Sequence, residues 1–121
     1  LCSHANGADQ AAHRHYGTIV IAPCDDGVVN TAAVGSYIAN GFGLHDMLGN
    51  VYEWVEDCYA DGYARLANDA SPWPGDPCID HVVRGGGWPS RPVNLRSAAR
   101  HHFEPWLSAT MFGFRVARDL D

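Results

Sequence analysis

Between Gly43 and Trp54 a densely apolar stretch is cut by a Gly-Asn pair, and that interruption limits what the region can become. Leu44, Met47, Leu48, Val51, Val55 and Cys58 recur at helical spacing. Gly49-Asn50 is nevertheless a poor helix interior, and Val51-Tyr52-Glu53-Trp54 alternates as a strand does. The pattern predicts one helical turn followed by a strand. On such a strand Gly49, Val51 and Glu53 share one side and Tyr52 and Trp54 the other, with Asp46 on the preceding turn. A carboxylate, two backbone carbonyls and a second carboxylate then converge. With water completing the shell, this donor set suits Ca2+, which takes about six to eight oxygens. A solvated Asp and Glu beside a core strand is the plainer reading of the same spacing.

The chain has 121 residues, 46% of them hydrophobic, which is enough for one core and predicts a single domain over 1–121. Thirteen glycines and seven prolines, with few long periodic runs, predict a loop-rich fold of short strands with helices in the minority. No run approaches the roughly 18 apolar residues of a membrane span. The beginning, Leu1-Cys2-Ser3-His4, is neither a start methionine nor a signal peptide, so the chain reads as processed or as part of a larger protein.

The formal net charge is −6, and all eight cationic side chains are arginines. Residues 1–80 hold only Arg14 and Arg65 against eleven acids, whereas residues 81–121 hold six arginines against Glu104, Asp119 and Asp121. An acidic first part suits cation binding. In the second part Arg84, Arg96, Arg100 and Arg115 are read as making internal ion pairs and backbone hydrogen bonds, so no nucleic-acid partner is expected. The absence of lysine excludes a Schiff base and a Walker P-loop.

Cys2, Cys24, Cys58 and Cys78 are even in number and contain no Cys-x-x-Cys pair, which argues against zinc and thioredoxin-type redox chemistry. Of the three possible pairings, loop logic favours Cys2–Cys24 and Cys58–Cys78, each closing a turn-rich segment and each contributing about 3 kcal/mol on the chain-entropy account. Disulfides imply an oxidising compartment, secreted or periplasmic. Four free thiols in a cytoplasmic protein are the alternative.

Along the chain, residues 1–30 read as a long loop bearing one strand, Thr18–Ala22, ended by Pro23 and the turn Cys24-Asp25-Asp26-Gly27. Asn6-Gly7 and Asp26-Gly27-Val28 offer a second oxygen-rich set, although on spacing alone both are turn formers. His4, His13 and His15 have no Glu or Cys at ligand spacing and read as loop residues. Thr31–Tyr37 reads as a short strand or extended segment, and residues 60–80 as a loop that a Cys58–Cys78 bridge would pin. Strands are predicted at His81–Arg84, Asn94–Arg100 and Phe112–Arg118, with a polar and aromatic loop from His101 to Thr110. Gly85-Gly86-Gly87-Trp88 lets backbone pass close to another element; without a following Lys or Ser/Thr on a helix it is not a phosphate loop.

Four ordered motifs, Gly43–Trp54, Arg84–Trp88, Asn94–Arg100 and Gly113–Arg118, together resemble the formylglycine-generating enzyme (sulfatase-modifying factor) family, whose domain is a variant of the C-type lectin fold, which implies an α+β, loop-rich architecture of short antiparallel strands with little helix. The resemblance spans about residues 2–118 and covers the C-terminal half of that domain, so a companion chain supplying the N-terminal half is an expected partner. It implies two structural calcium ions. One would be held by Asn6, Gly7, Asp26 and Val28, the other by Asp46, Gly49, Val51 and Glu53; Asn6, Asp26, Asp46 and Glu53 would use side-chain oxygens and the rest backbone carbonyls.

Catalytic members of the family hold copper on two cysteines just after the motif matching Gly85–Trp88, near a serine. This chain has no cysteine beyond Cys78 and places Gly87 at the serine position, and Ser90 or Asn94 cannot replace thiolate for a soft cuprous ion. The expected function is therefore a non-catalytic, calcium-stabilised binding module for a protein or small-molecule ligand. A variable protein of a diversity-generating retroelement is one form of it. The alternative is a family enzyme, sulfatase-activating or biosynthetic, acting as part of a larger or cleaved protein. Trp88, Arg91, His101, His102, Phe103 and Trp106 are the expected ligand-binding residues, with Phe103 and Trp106 exposed and Trp88 open between core and surface.

Overall fold

The computed structural model describes residues 1–17, 20–63, 69 and 71–118. One helix, α1 (Gln10–Tyr16), precedes four short strands, β1 (Tyr52–Cys58), β2 (His81–Arg84), β3 (His101–Phe103) and β4 (Phe112–Phe114), with a 3-10 turn at Pro92–Asn94. The strands form one sheet in the order β3-β2-β1-β4. β1 runs antiparallel to β2, and β2 to β3, but β4 lies parallel to β1 with Tyr52 opposite Phe112 and Trp54 opposite Phe114. The α+β, loop-rich architecture with little helix is as expected, and the sheet is mixed where antiparallel strands were anticipated.

Alternation over Val51–Trp54 predicts the start of β1, whose buried Tyr52 and Cys58 share one side, whereas β2, predicted at His81–Arg84, is buried on both sides. Val82 and Val83 are 1% and 0% exposed, and Tyr52, Cys58, Leu95 and Ala99 complete the core around them. A second buried group, Ala5, Ala8, Ala11, Ala12 and Ala22, packs α1 onto the body. That helix lies in a segment read as loop, since its buried face is only alanine and carries little hydrophobic signal. It forms because Asp9 caps it: Asp9 Oδ1 accepts from Ala11 N (2.9 Å) and Ala12 N (3.2 Å), and Gly17 ends it in the left-handed region.

Four predicted strands or extended segments differ. Of Thr18–Ala22, Thr18 and Ile19 lie outside the described residues, and residues 20–22 are not strand although Ala22 N donates to Ala8 O. The segment 31–37 is irregular, because the backbone of Ala32 finds both partners on one side chain: Ala32 N donates to Asn50 Oδ1 and Asn50 Nδ2 to Ala32 O. Asn94–Arg100 is a 3-10 turn and bends, and Phe112–Arg118 pairs only over its first three residues. Conversely His101–Phe103, read as loop, pairs with His81–Val83. The helical turn expected before Gly49 is also absent. Asp46, Gly49 and Asn50 all take positive φ, and Gly49 N, Asn50 N and Asn50 O are committed to Gly85, Asn6 and Trp88 respectively. No helix among the described residues is long and apolar enough to cross a membrane.

Both predicted disulfides form, Cys2–Cys24 and Cys58–Cys78, with Cα separations of 6.1 and 5.5 Å.

Candidate functional site

The turn before β1 and the end of β4 enclose a cavity of about 490 Å³, and Asp46, Gly49, Val51 and Glu53 all line it. The four residues selected by spacing are therefore brought together. Asp46 Oδ2 accepts from Gly35 N at 2.7 Å, while Asp46 Oδ1 is buried with no hydrogen-bond partner. A buried carboxylate oxygen left unpaired is costly and calls for a cation or donor. Glu53 already has one: Arg115 Nε lies 3.1 Å from each of its oxygens, and Arg115 Nη2 is 2.8 Å from Oε1 and 2.9 Å from His45 O. This pairing raises the Arg115 pKa. A carboxylate has about four acceptor lone-pair sites, so the guanidinium leaves Glu53 further capacity. Asp46 and Glu53 are the oxygen donors here that would suit a hard cation, and Glu53 would then bind Arg115 as well. Spacing within the stretch missed His45 and Arg115; reading Arg115 as an internal ion-pair residue was the available signal.

The other expected set lies where the segment 5–9 meets the loop after Cys24. Asn6, 1% exposed, donates through Nδ2 to Asn30 O (2.7 Å) and Asn50 Oδ1 (3.4 Å). Gly7 is buried, and Val28 is half-buried. Asp26 Oδ1 accepts from Val28 N and Oδ2 from Tyr37 Oη, at 2.8 and 2.7 Å, while Asp26 N donates to Asp9 Oδ2. Burial first, then the Asp26 carboxylate, pushes the Tyr37 phenol well above its ordinary 10.0. A raised folded-state pKa means that this phenol's contribution is full below pH 10.0 and lost as pH rises beyond it. Tyr37→Phe should therefore cost about 1 kcal/mol at neutral pH, from the lost hydrogen bond to Asp26. The gap to the parent should close as denaturation is repeated at increasing pH above 10.0; a gap that widens there would refute the assignment.

The expected ligand-binding residues divide between surfaces. Trp88 is half-buried, its ring centroid 5.7 Å from that of Tyr16 on α1, and its Nε1 is buried without a partner. Arg91 is exposed, and Trp106 is 74% exposed. His101 and Phe103 sit on the same side of β3 and join the rings of Tyr52 and Phe112, with Phe103 4.8 Å from Phe112. Phe103 is thus half-buried where exposure was expected, because β3 pairs instead of looping. His102 stands on the opposite side, stacked on Tyr59 at 3.7 Å and bonded through Nδ1 to Asp80 (2.6 Å). Burial and the neighbouring His102 lower the His101 pKa.

The copper site of the catalytic relatives does not fit this donor set. All four cysteines are in disulfides. Ser90, 5% exposed, spends its hydroxyl on Tyr52 Oη (2.9 Å) while accepting from Gly87 N (3.0 Å), and a Cβ at Gly87 would lie 3.2 Å from the Tyr52 ring. No thiolate is available for a soft ion. The arginines behave as anticipated: Arg84 donates to Ala99 O, Arg96 to Val93 O, and Arg100 to Ala60 O and Gly62 O.

Comparison with known proteins places these features. The sulfatase-modifying factor enzyme 1-like domain model matches residues 3–120. The serine/threonine-protein kinase pkn1 of Chlamydia caviae is 42% identical over 91 residues, 74% of this chain and 15% of that protein. The formylglycine-generating enzyme of Streptomyces coelicolor is 36% identical over 100 residues, 80% and 32% of the two chains. PvdO from Pseudomonas aeruginosa superposes with a TM-score of 0.78 at 34% identity, over 94% of this chain and 38% of that one. Treponema denticola variable protein 1 shares the fold, with a TM-score of 0.66 at 23% identity over 93% and 34%. The chain thus spans a third or less of these two curated relatives. The match along nearly its whole length, together with the C-type-lectin-like architecture, shows that the chain belongs to the sulfatase-modifying factor enzyme 1-like domain family.

Proposed function

We propose that this domain is a non-catalytic, calcium-stabilised binding module, with the ion held at Asp46, Gly49, Val51 and Glu53 and a second at Asn6, Gly7, Asp26 and Val28. The observation that carries the reading is the buried, partnerless Asp46 Oδ1, on a residue that lines the same cavity as Glu53. Both carboxylates come from an acidic part of the chain, and an oxygen-only donor set selects a hard cation. The disulfide-bound cysteines support a binding role over copper-dependent oxidation. The exposed Arg91 and Trp106, on the loops flanking Asn94–Arg100, are the contact residues for a protein or small-molecule ligand. A companion segment carrying the rest of the domain is a further partner, and an oxidising compartment, secreted or periplasmic, suits the two disulfides.

Calcium should stabilise the native state by about 2.7 kcal/mol at a free concentration one hundred times Kd. For a domain of this size that is a melting shift on the order of 10 °C. Asp46→Asn and Glu53→Gln should each remove most of the shift. The measurement is thermal unfolding with added calcium and after chelation, metal removal being verified by elemental analysis. Identical melting curves in both conditions would reject the calcium reading.

A further inference from the structure

We infer that Cys58–Cys78 is a thiol-exchange site, at which a low-molecular-weight thiol forms a mixed disulfide on Cys78 with His81 as the proton carrier. The two disulfides of this chain have different side chains beside their sulfurs. Beside Cys2–Cys24 are two carboxylates: Cys2 Sγ, Asp9 and Asp26 present ligand atoms within 4.8 Å of one another, and Cys2 Sγ is 3.5 Å from Asp9 Oδ2. Negative charge there repels an attacking thiolate and destabilises a departing one. Beside Cys58–Cys78 is an imidazole. His81 Nε2 lies 3.4 Å from Cys78 Sγ, and the ligand atoms of Cys58, Cys78 and His81 fall within 4.8 Å of one another. The sheet holds this arrangement, because His81 is the register partner of Cys58 across β1 and β2. The acids nearest in sequence, Asp57 and Asp80, turn hydrogen-bonded oxygens to other donors, Asp57 Oδ1 to Trp73 N and Asp80 Oδ2 to His102 Nδ1.

The two sulfurs also differ in access. Cys58 is 4% exposed, with Pro74 O 2.6 Å from its Sγ and Gly75 so close that an added Cβ would come within 2.8 Å of Cys58 Cβ. Cys78 is exposed. An incoming thiol R–SH therefore meets Cys78. His81 takes its proton, R–S⁻ attacks Cys78 Sγ as the Cys58–Cys78 bond breaks, and the imidazolium returns the proton to the departing Cys58 Sγ. The products are Cys78–S–S–R and a Cys58 thiol. One S–S bond is broken and one made, with no net oxidation.

The test uses the native protein in millimolar glutathione, quenched with acid at intervals, alkylated with iodoacetamide and mapped by peptide mass. Cys58–Cys78 should open about tenfold or more faster than Cys2–Cys24. The glutathione adduct should be on Cys78 and the alkylated thiol on Cys58. His81→Gln should slow this opening about fivefold or more while leaving the Cys2–Cys24 rate unchanged. Should His81→Gln fold poorly, Cys58→Ser supplies a second readout: its liberated Cys78 thiol should alkylate faster in native protein than in urea, where His81 is no longer beside it. Equal opening rates for the two disulfides, adduct on Cys58, an unaffected His81→Gln, or a Cys78 no faster in native than in unfolded Cys58→Ser would each overturn the inference.

Discussion

Gly49→Ala is expected to destabilise the fold by about 4 kcal/mol, a large fraction of the stability of a domain this size. Gly49 has φ of 79°, which already disfavours a side chain, but the larger effect is steric. A Cβ there would lie 2.1 Å from Asn6 O, 2.8 Å from Asn6 C and 3.0 Å from Asn6 N. These are backbone atoms of a buried segment and cannot rotate away. Asn6 O is also the acceptor for Asn50 N (2.8 Å), so relieving the clash breaks a long-range hydrogen bond and separates the two candidate cation sites. Gly43→Ala is the control. It has nearly the same φ, 77°, with no heavy atom within 4 Å of an added Cβ, so it should lose only about 1 kcal/mol from backbone strain. Urea denaturation of the two variants separates close approach from conformational cost; losses of equal size would show that the contact at Asn6 is unimportant.

Asp9→Ala should cost about 3 kcal/mol. Asp9 is 0% exposed, and its carboxylate accepts from three backbone donors, Ala11 N, Ala12 N and Asp26 N, at 2.9, 3.2 and 2.7 Å. The substitution leaves all three N–H groups without their acceptor, frees the start of α1, and releases the loop that follows Cys24. Asp9→Asn keeps one acceptor oxygen and should fall between parent and Ala. The check is denaturant unfolding, together with amide exchange at Ala11, Ala12 and Asp26. If protection is lost at Ala11 and Ala12 but kept at Asp26, Asp9 is a helix cap and does not join the helix to the loop.

The parts of this protein that could be read from its sequence are those where neighbouring residues carry the signal. Alternation located the start of β1, whose buried Tyr52 and Cys58 share a side, and a short run around two adjacent valines located β2, which is buried on both sides. Cysteine spacing around turn-rich loops led to both disulfides. The spacing of Asp46, Gly49, Val51 and Glu53 identified residues that do line one cavity, because all four fall in the short segment 46–53 that leads into β1. Family motifs added the fold class.

Tertiary structure decided what depends on residues far apart. Arg115 reaches Glu53 across 62 positions, and only parallel pairing of β4 on β1 places it there. Asn50 displaces a predicted strand at 31–37 by supplying donor and acceptor to Ala32 from its own side chain, an alternative that residue periodicity does not contain. α1 was hidden because alanines at its buried face give a weak apolar pattern, and its capping carboxylate gains strength from Asp26 N, 17 residues away. Phe103 changed from an expected surface anchor to part of a ring cluster once β3 paired with β2. In each case spacing reports which side chains share a face, whereas the partner across that face is chosen by backbone groups and charges that must be satisfied when distant segments are buried together.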